Sequence, residues 1–433
     1  MSNWIEYKLD KLCEVGRGSS PRPIIDQRYF EGGKIPWIKI ADATASGKYI
    51  YETKEHVNEY GASFSRYLDP DSLIIAASGV SLGQIKFLGV KGCIHDGWLY
   101  TSKFNSEIIL KEFLYYFLIF YADQFHNFSS GAAIQNINTE ILRNTKVPCP
   151  PIETQKKIAS ILSSYDDLIE NNNKRITLLE EMAAEIYKEW FVRFRFPNYQ
   201  NTRILDKEGK EVAHGAKDAI PEGWEVVKLG ERFDISLGGT PSREIEKYWD
   251  GSIAWINSGK VNDLRVIQSS ELITDLGLQK SATKLLPKKT TLLAITGATL
   301  GQVSFLEIES CTNQSIVGIK DPKNEIDEFV FLAMKRKIKD LMNYATGGAQ
   351  QHINKNVVND AEILIGTELL MIEFSKIVKP QFDLIALLLF KNQILQETRD
   401  LLLPRLISGK LSVEDLEVDE MNMAAEPQEK YSK

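Results

Sequence analysis

ETQKKIASILSSYDDLIENNNKRITLLEEMAAEIYKEWFVRFR, residues 153–195, is the stretch on which the fold turns. Its apolar positions, Ile158, Ile161, Leu162, Tyr165, Leu168, Ile169, Ile176, Leu179, Met182, Ala183, Ile186 and Trp190, recur every three or four residues, the spacing of one face of a long helix. Leu370 to Ser408 repeats the pattern: Ile161, Asp167-Leu168-Ile169, Leu179 and Ile186 correspond, at a constant offset of 216, to Ile377, Asp383-Leu384-Ile385, Leu395 and Leu402. A stripe so narrow and so long cannot bury itself in one globular core, so it is expected to lie against another helix, with its own copy the natural partner. Each helix is then a rod; about 34 residues at roughly 1.5 Å each span on the order of 50 Å. The alternative, two ordinary amphipathic helices inside separate domains, is disfavoured because the duplication runs far beyond the helices.

Upstream of each rod the same landmarks recur. Trp4-Ile5-Glu6-Tyr7-Lys8-Leu9 is echoed by Trp224-Glu225-Val226-Val227-Lys228-Leu229, and Gly18-Ser19-Ser20-Pro21-Arg22 by Gly238-Gly239-Thr240-Pro241-Ser242-Arg243. Pro36-Trp37-Ile38 returns as Ala254-Trp255-Ile256, and the β-rich run Leu73 to Leu88 returns as Leu292 to Leu306, each broken by a glycine-bearing turn that predicts a hairpin. Cys93 and Cys311 keep the register, and residues 131–138 pair with 347–354 just before each rod. The order is globule, rod, linker, globule, rod. The linker, polar and carrying Pro197, Gly209, Gly215 and Pro221, reads as a connection between independent units.

A chain of 433 residues, 43% of them hydrophobic, has room for two or three domains with cores of their own. Its longest apolar runs, Phe113 to Tyr121 and Leu384 to Phe390, are too short to cross a bilayer, and the N-terminus lacks the basic and apolar regions of a signal peptide, so a cytoplasmic protein without a membrane partner is expected. The four scattered cysteines, Cys13, Cys93, Cys149 and Cys311, predict buried thiols rather than a disulfide framework or a zinc site. The net charge of -7 argues against nucleic acid only superficially, because residues 411–433 hold seven acids against Lys430 and Lys433, a balance of -5. The remaining body is nearly neutral and permits local basic faces, and the acidic tail is expected to be disordered.

No Walker loop, G-x-G-x-x-G, H-E-x-x-H, G-x-S-x-G or Asn-Pro-Pro-Tyr-like tetrapeptide is present, and the five histidines lie apart. Neither catalytic residues nor a metal site is predicted. The two copies share aromatic, glycine and apolar residues but differ at polar positions: Ser78 against Thr296, Lys39 against Asn257, Lys86 against Ser304, Arg17 against Leu237, Asn136 against His352. Shared frames with unlike polar tips suit two readers of different sequences, and Arg, Lys, Asn and Gln are the side chains that make paired hydrogen bonds to base edges. The candidate DNA-binding residues are Arg17, Ser19, Arg22, Lys39, Ser78, Gln84, Lys86, Gln135 and Asn136 in the first copy. In the second they are Thr240, Arg243, Asn257, Lys260, Thr296, Gln302, Gln351, His352 and Lys355.

This layout, together with Ile220-Pro221-Glu222-Gly223-Trp224, Gly239-Thr240-Pro241-Ser242, the Thr296-Gly297 to Gly301-Gln302 turn, Gln155-Lys156-Lys157-Ile158-Ala159 and Trp190-Phe191-Val192-Arg193-Phe194, resembles the specificity (S) subunit of type I restriction-modification systems over residues 1 to about 410. The first copy departs in having Ser19-Ser20-Pro21-Arg22 where the second has Gly239-Thr240-Pro241-Ser242.

The resemblance implies an α+β fold with two similar mixed α/β target recognition domains separated by two long helices that form an antiparallel coiled coil, a pseudo-two-fold internal repeat. It divides the chain into a first recognition domain (1–150), a spacer helix (151–196), a linker (197–223), a second recognition domain (224–366), a second spacer helix (367–410) and the tail (411–433). It implies a non-catalytic subunit that reads an asymmetric bipartite site in double-stranded DNA. The rods would separate half-sites by roughly 15 base pairs at about 3.4 Å each. The same chain would dock two adenine-methyltransferase (modification) subunits and, through the complex, ATP-driven motor/endonuclease (restriction) subunits. S-adenosylmethionine and ATP with Mg would bind those partners and no cofactor would bind this chain. Tyr187, Phe191 and Phe390 are the candidates for partner docking. A bivalent protein–protein adaptor on the same scaffold is the competing reading; the recognition half of a fused endonuclease-methyltransferase is disfavoured by the missing catalytic motifs.

Overall fold

The computed structural model describes residues 4–44, 46–77, 81–129, 137–345 and 352–414. The chain divides into two compact units, Met1–Asn171 with Asn392–Lys433, and Asn172–Lys391. Both long helices form, Ile152–Phe191 and Glu368–Ile407, 40 residues each. Neither is a domain of its own, because each half of each helix buries its apolar face in the core of the globule it leaves or enters.

In the first unit a five-stranded sheet runs in the order Glu14–Arg17, Trp98–Ser102, Leu73–Ala76, Ile85–Leu88, Tyr49–Ile50. A four-stranded sheet orders His56–Val57, Ile35–Ile38, Gly92–Ile94, Arg66–Leu68, and Ile5–Lys8 pairs with Lys146–Cys149 just before the helix. The second unit repeats the plan. Its five strands are Asp234–Leu237, Ile316–Lys320, Thr291–Ala294, Val303–Leu306 and Arg265–Val266, and Glu225–Lys228 pairs with Glu362–Ile365. Its smaller sheet has three strands, Glu271–Ile273, Trp249–Ile256 and Cys311–Thr312, with a single bridge from Leu286 to Ser310 where the first unit has a fourth strand. Both hairpins expected from the glycine-bearing runs are antiparallel pairs.

The long helices run antiparallel within each unit. In the first, Ile158 and Leu162 of one helix and Leu403, Leu406 and Ile407 of the other enter the same core as Leu9, Phe87 and Phe113, and Arg399 of the second helix pairs with Asp166 of the first. In the second, Ala183, Trp190 and Phe191 meet Leu370, Phe374, Val378 and Phe382 against Phe305, Phe329 and Phe331. At roughly 1.5–3 kcal/mol for each large apolar side chain, these contacts rather than helix propensity hold the helices. Gln155, fully buried at the start of the first helix, ties it to its globule: its amide donates to the carbonyls of Ile108 (2.7 Å) and Pro150 (2.9 Å) and accepts the Leu110 N–H (2.9 Å). The first helix stops where Phe194 adopts φ +54°, and the second where Gly409 takes φ +67° with its N–H on the Leu406 carbonyl.

The stretch read as a linker carries structure of its own. Ile204–Leu205 pairs with both Glu211–Val212 and Ile220–Pro221, Gly209 at φ +80° makes the turn, and Phe196, Ile204 and Ala219 are buried. Phe194 and Phe196 pack on the Trp224 ring, which a flexible tether could not maintain.

Candidate nucleic-acid interface

In each unit one parallel strand pair sets the site. Trp37 and Ile38 lie beside Cys93 and Ile94, so Lys39 and His95 emerge side by side, with the His95 N–H on the Ile38 carbonyl (3.1 Å). Gly18 lies so close to this turn that a Cβ would stand 2.1 Å from the His95 carbonyl oxygen, so only glycine fits. That approach lays Ser19, Ser20 and Arg22 over residues 95–97. Ser20 Oγ accepts the Asp96 N–H (3.2 Å), Arg17 Nε donates to the Asp96 carbonyl (2.8 Å), and the Arg22 guanidinium pairs with the Asp96 carboxylate. Burial holds the His95 imidazole below its ordinary range despite the neighbouring carboxylate; its Nδ1 lies 2.9 Å from the Gly97 nitrogen and 3.0 Å from an Asp96 carboxylate oxygen. Lys39 sits 4.7 Å from the centre of the Trp37 ring and pairs with Glu55.

The second unit builds the same frame from other side chains. Trp255 and Ile256 lie beside Cys311 and Thr312, delivering Asn257 next to Asn313, whose N–H meets the Ile256 carbonyl (3.0 Å). A Cβ on Gly238 would lie 2.2 Å from the Asn313 carbonyl oxygen. The loop that follows brings Thr240 onto Gln314, hydroxyl to Oε1 at 2.6 Å. Arg243 lies 3.8 Å over the Trp249 ring and forms a two-pronged pair with Glu271, which holds that carboxyl below the usual range. Ile295 donates to the Ser315 carbonyl (2.9 Å) and accepts from Ile353 (2.9 Å), and Thr296 bridges to His352; the 3-10 turns Ser258–Asn262 and Gly297–Thr299 pack together. One polar rim therefore gathers Thr240, Arg243, Asn257, Lys260, Thr296 and His352, with Lys355 opening the short helix just beyond.

Some expected readers have other work. Asn257 caps its 3-10 turn by accepting the Gly259 N–H (3.0 Å), and Lys260 faces Asp263 (3.5 Å). Lys86, a candidate tip, turns inward and donates to the carbonyls of Ser46 (2.9 Å) and Gly47 (2.6 Å). Its counterpart Ser304 donates to the Asp263 carbonyl (2.6 Å), so this position fastens a loop in both copies. Gln84 likewise turns in, with its Oε1 enclosed and its amide 3.5 Å from the Ala43 carbonyl, whereas Gln302 is exposed. Ser78, Gln135, Asn136 and Gln351 lie outside the described residues, as does most of the acidic tail.

Of the docking candidates, Phe191 is 6% exposed and packs edge-on against Phe329 and Phe374, and Tyr187 joins the same cluster. Phe191 is part of the chain's own core and Tyr187, half-buried, packs against it; a helical stripe does not reveal whether its partner is a helix, a globule or another chain. Phe390 is half-buried.

His95, Asp96, Asn313 and Gln314, central to the two rims, were not among the residues expected. The signal was present: the register held at Cys93 and Cys311, each ends a β-rich run, and the polar residues two and three positions on differ between the copies. Among the described residues no group of His, Cys, Asp and Glu could hold a metal ion, and no helix is long and apolar enough to cross a membrane.

The sequence matches the family described as "Type I restriction modification DNA specificity domain" over two stretches, residues 1–181 and 221–398. It is 27% identical to the type I restriction enzyme MjaIX specificity subunit of Methanocaldococcus jannaschii, over 96% of this chain and 95% of that one. Identity to the type I restriction enzyme HindI specificity subunit of Haemophilus influenzae is 25%, over 95% of this chain and all of the relative (100%). The fold is shared with the crystal structure of a type I restriction-modification S subunit from M. genitalium, with a TM-score of 0.57 at 16% identity, covering 93% of this chain and 96% of that one.

Proposed function

Since this chain belongs to the type I restriction modification DNA specificity family and is a non-catalytic, DNA-recognising component of a restriction-modification complex, we propose that its two rims read the two unlike halves of one bipartite DNA site. The observation that carries this reading is the pair of homologous frames with non-equivalent polar groups, His95-Asp96 with Arg22 in one and Asn313-Gln314 with Thr240 in the other. Equal frames keep both units able to accept duplex DNA, while unequal side chains make the target asymmetric.

On this proposal the long helices also dock two adenine-methyltransferase subunits, which bring S-adenosylmethionine, and the assembled complex engages motor/endonuclease subunits that use ATP and Mg. This chain supplies the address and no chemical step. Four cations on the rims face carboxylates: Arg22 with Asp96, Lys39 with Glu55, Arg243 with Glu271, Lys260 with Asp263. Such pairing weakens sequence-blind attraction to phosphate and leaves more of the binding free energy to base contacts.

The test is an exchange. Residues 1–150 replaced by the first globule of another family member should change one half of the methylated motif, mapped genome-wide in a host carrying the modification partner, and leave the other half intact. A change in both halves, or in neither, rejects the two-reader proposal.

A further inference from the structure

The turn after the second parallel strand, residues 95–97 in one unit and 313–315 in the other, has a fixed backbone and is half-buried, with Gln314 exposed at its tip. Asp96 is held through its N–H by Ser20 and through its carbonyl by Arg17. In the second unit Asn313 Oδ1 accepts the Ser315 N–H (3.1 Å), and the Asn313 carbonyl accepts the Ile316 N–H (3.2 Å). A rigid turn that offers a polar side chain at its tip is what a base-reading contact needs, because little ordering is then required on binding.

We infer that each unit discriminates one base pair with this turn, Gln314 oriented by Thr240 taking an adenine and Arg22 steered by Asp96 taking a guanine. The inference rests on the DNA-reading function proposed above. The Thr240 hydroxyl donates to Gln314 Oε1, which fixes the amide's orientation and still leaves Oε1 a second lone pair and Nε2 two hydrogens. That edge, one acceptor beside one donor, complements adenine N6–H and N7; guanine offers two acceptors, N7 and O6, and would leave the Gln314 acceptor facing another acceptor. In the first unit the equivalent position is a carboxylate, which cannot donate. It engages one nitrogen of Arg22, whose side chain is 67% exposed, so the remaining guanidinium hydrogens form a fork suited to the two guanine acceptors. The two copies thus keep a hydroxyl at the Ser20/Thr240 position and differ at the turn itself, where Asp96 paired with Arg22 stands in one unit and Gln314 oriented by Thr240 in the other.

The experiment uses the full chain with its modification partner. Methylated motifs are mapped for the native protein, Gln314→Ala, Thr240→Val and Arg22→Ala. Gln314→Ala should relax one adenine position in one half-site, with discrimination there falling roughly ten- to hundred-fold and the other half unchanged. Thr240→Val should relax the same position less, because it only positions the amide. Arg22→Ala should relax one guanine in the opposite half. Should a variant methylate nothing, binding is measured on duplexes carrying 7-deazaadenine at each adenine in turn: the native protein should lose affinity at one position and Gln314→Ala should be indifferent there. A native bipartite motif that keeps every base requirement in Gln314→Ala and Arg22→Ala overturns this assignment alone. A native protein with no bipartite motif overturns the functional reading beneath it.

Discussion

Arg265 offers the most direct test of how the scaffold is held. Its side chain is only 2% exposed, its guanidinium bonds Glu307 (2.9 Å) and approaches Glu180 of the first long helix (3.5 Å), and it lies 3.9 Å over the ring of Phe382 on the second long helix. The equivalent position in the first unit is Tyr49, stacked at 5.0 Å on Phe87, the counterpart of Phe305, and where the second unit has Glu307 the first has Gly89. Removing one member of a buried ion pair costs about 3–5 kcal/mol. A leucine would recover about 1–2 kcal/mol of that through apolar burial, so Arg265→Leu should destabilise the second unit by roughly 1–4 kcal/mol. Transplanting the other copy's solution, Arg265→Tyr with Glu307→Gly, removes the stranded carboxylate as well. It should come within about 1.5 kcal/mol of the native protein, the added glycine accounting for most of the deficit. Hydrogen exchange at the amides of Val303–Leu306 reads the opening free energy of that sheet, and the amides of Ile85–Leu88 serve as the internal reference. Exchange in Arg265→Leu indistinguishable from native, or a double variant no better than the single one, would refute the reasoning.

Freeing Arg243 by Glu271→Gln should strengthen DNA binding and steepen the dependence of log K on log salt concentration by about 0.9, the signature of one added phosphate contact; titrations between low and physiological salt read the slope, and an unchanged slope means that Arg243 does not reach the backbone. Gln155→Leu leaves the Ile108 and Pro150 carbonyls and the Leu110 N–H without their partner, so the first unit should lose roughly 3 kcal/mol, read as a lower urea midpoint. Burial pushes the thiols of Cys13, Cys93 and Cys149 up to about 12 and that of Cys311 up to about 11. Iodoacetamide at pH 8 should therefore leave all four unmodified in the native protein and label all four after denaturation, with rapid native labelling counting against their burial.

What could be read from the sequence was what periodicity encodes. The two rods, the two hairpins and the duplication follow from spacing alone, because a helix stripe and a glycine-broken strand pair are local patterns. What escaped depends on partners distant in sequence. Lys86 looks like an outward polar residue on a strand; only the fold reveals the Ser46 and Gly47 carbonyls across from it. Tyr187 and Phe191 extend the rod's stripe, yet their partners are Phe329 on a globule helix and Phe374 on the other rod. The linker's hairpin rests on the pairing of Ile204 with Val212 and Pro221, too short a ladder to leave a strand signature.

A comparison of the two copies separates changes that maintain the fold from changes that redirect it. Asp71 and Lys289 occupy equivalent positions with φ of +66° and +67°, yet one is an anion paired with Lys111 (2.8 Å) and the other a cation paired with Asp383 (2.6 Å) and facing Glu328 (3.4 Å). The sign of the charge has changed at this position, yet an ion pair from the loop to a helix persists in both units. Lys86 and Ser304 likewise change chemistry while keeping carbonyl acceptors on the same loop. In both cases the second residue conserves a structural bond, as expected where a buried or half-buried group left alone costs free energy. The rim pairs are under no such constraint: Arg22 with Asp96 and Thr240 with Gln314 are solvent-facing contacts of the kind that contribute about 0–1 kcal/mol to stability. The change from Asp96 to Gln314 at this turn exchanges a carboxylate for an amide while asking almost nothing of the core. Stability therefore does not explain why this turn carries Asp96 in one unit and Gln314 in the other; the two-reader proposal does, by assigning each unit a different base to match.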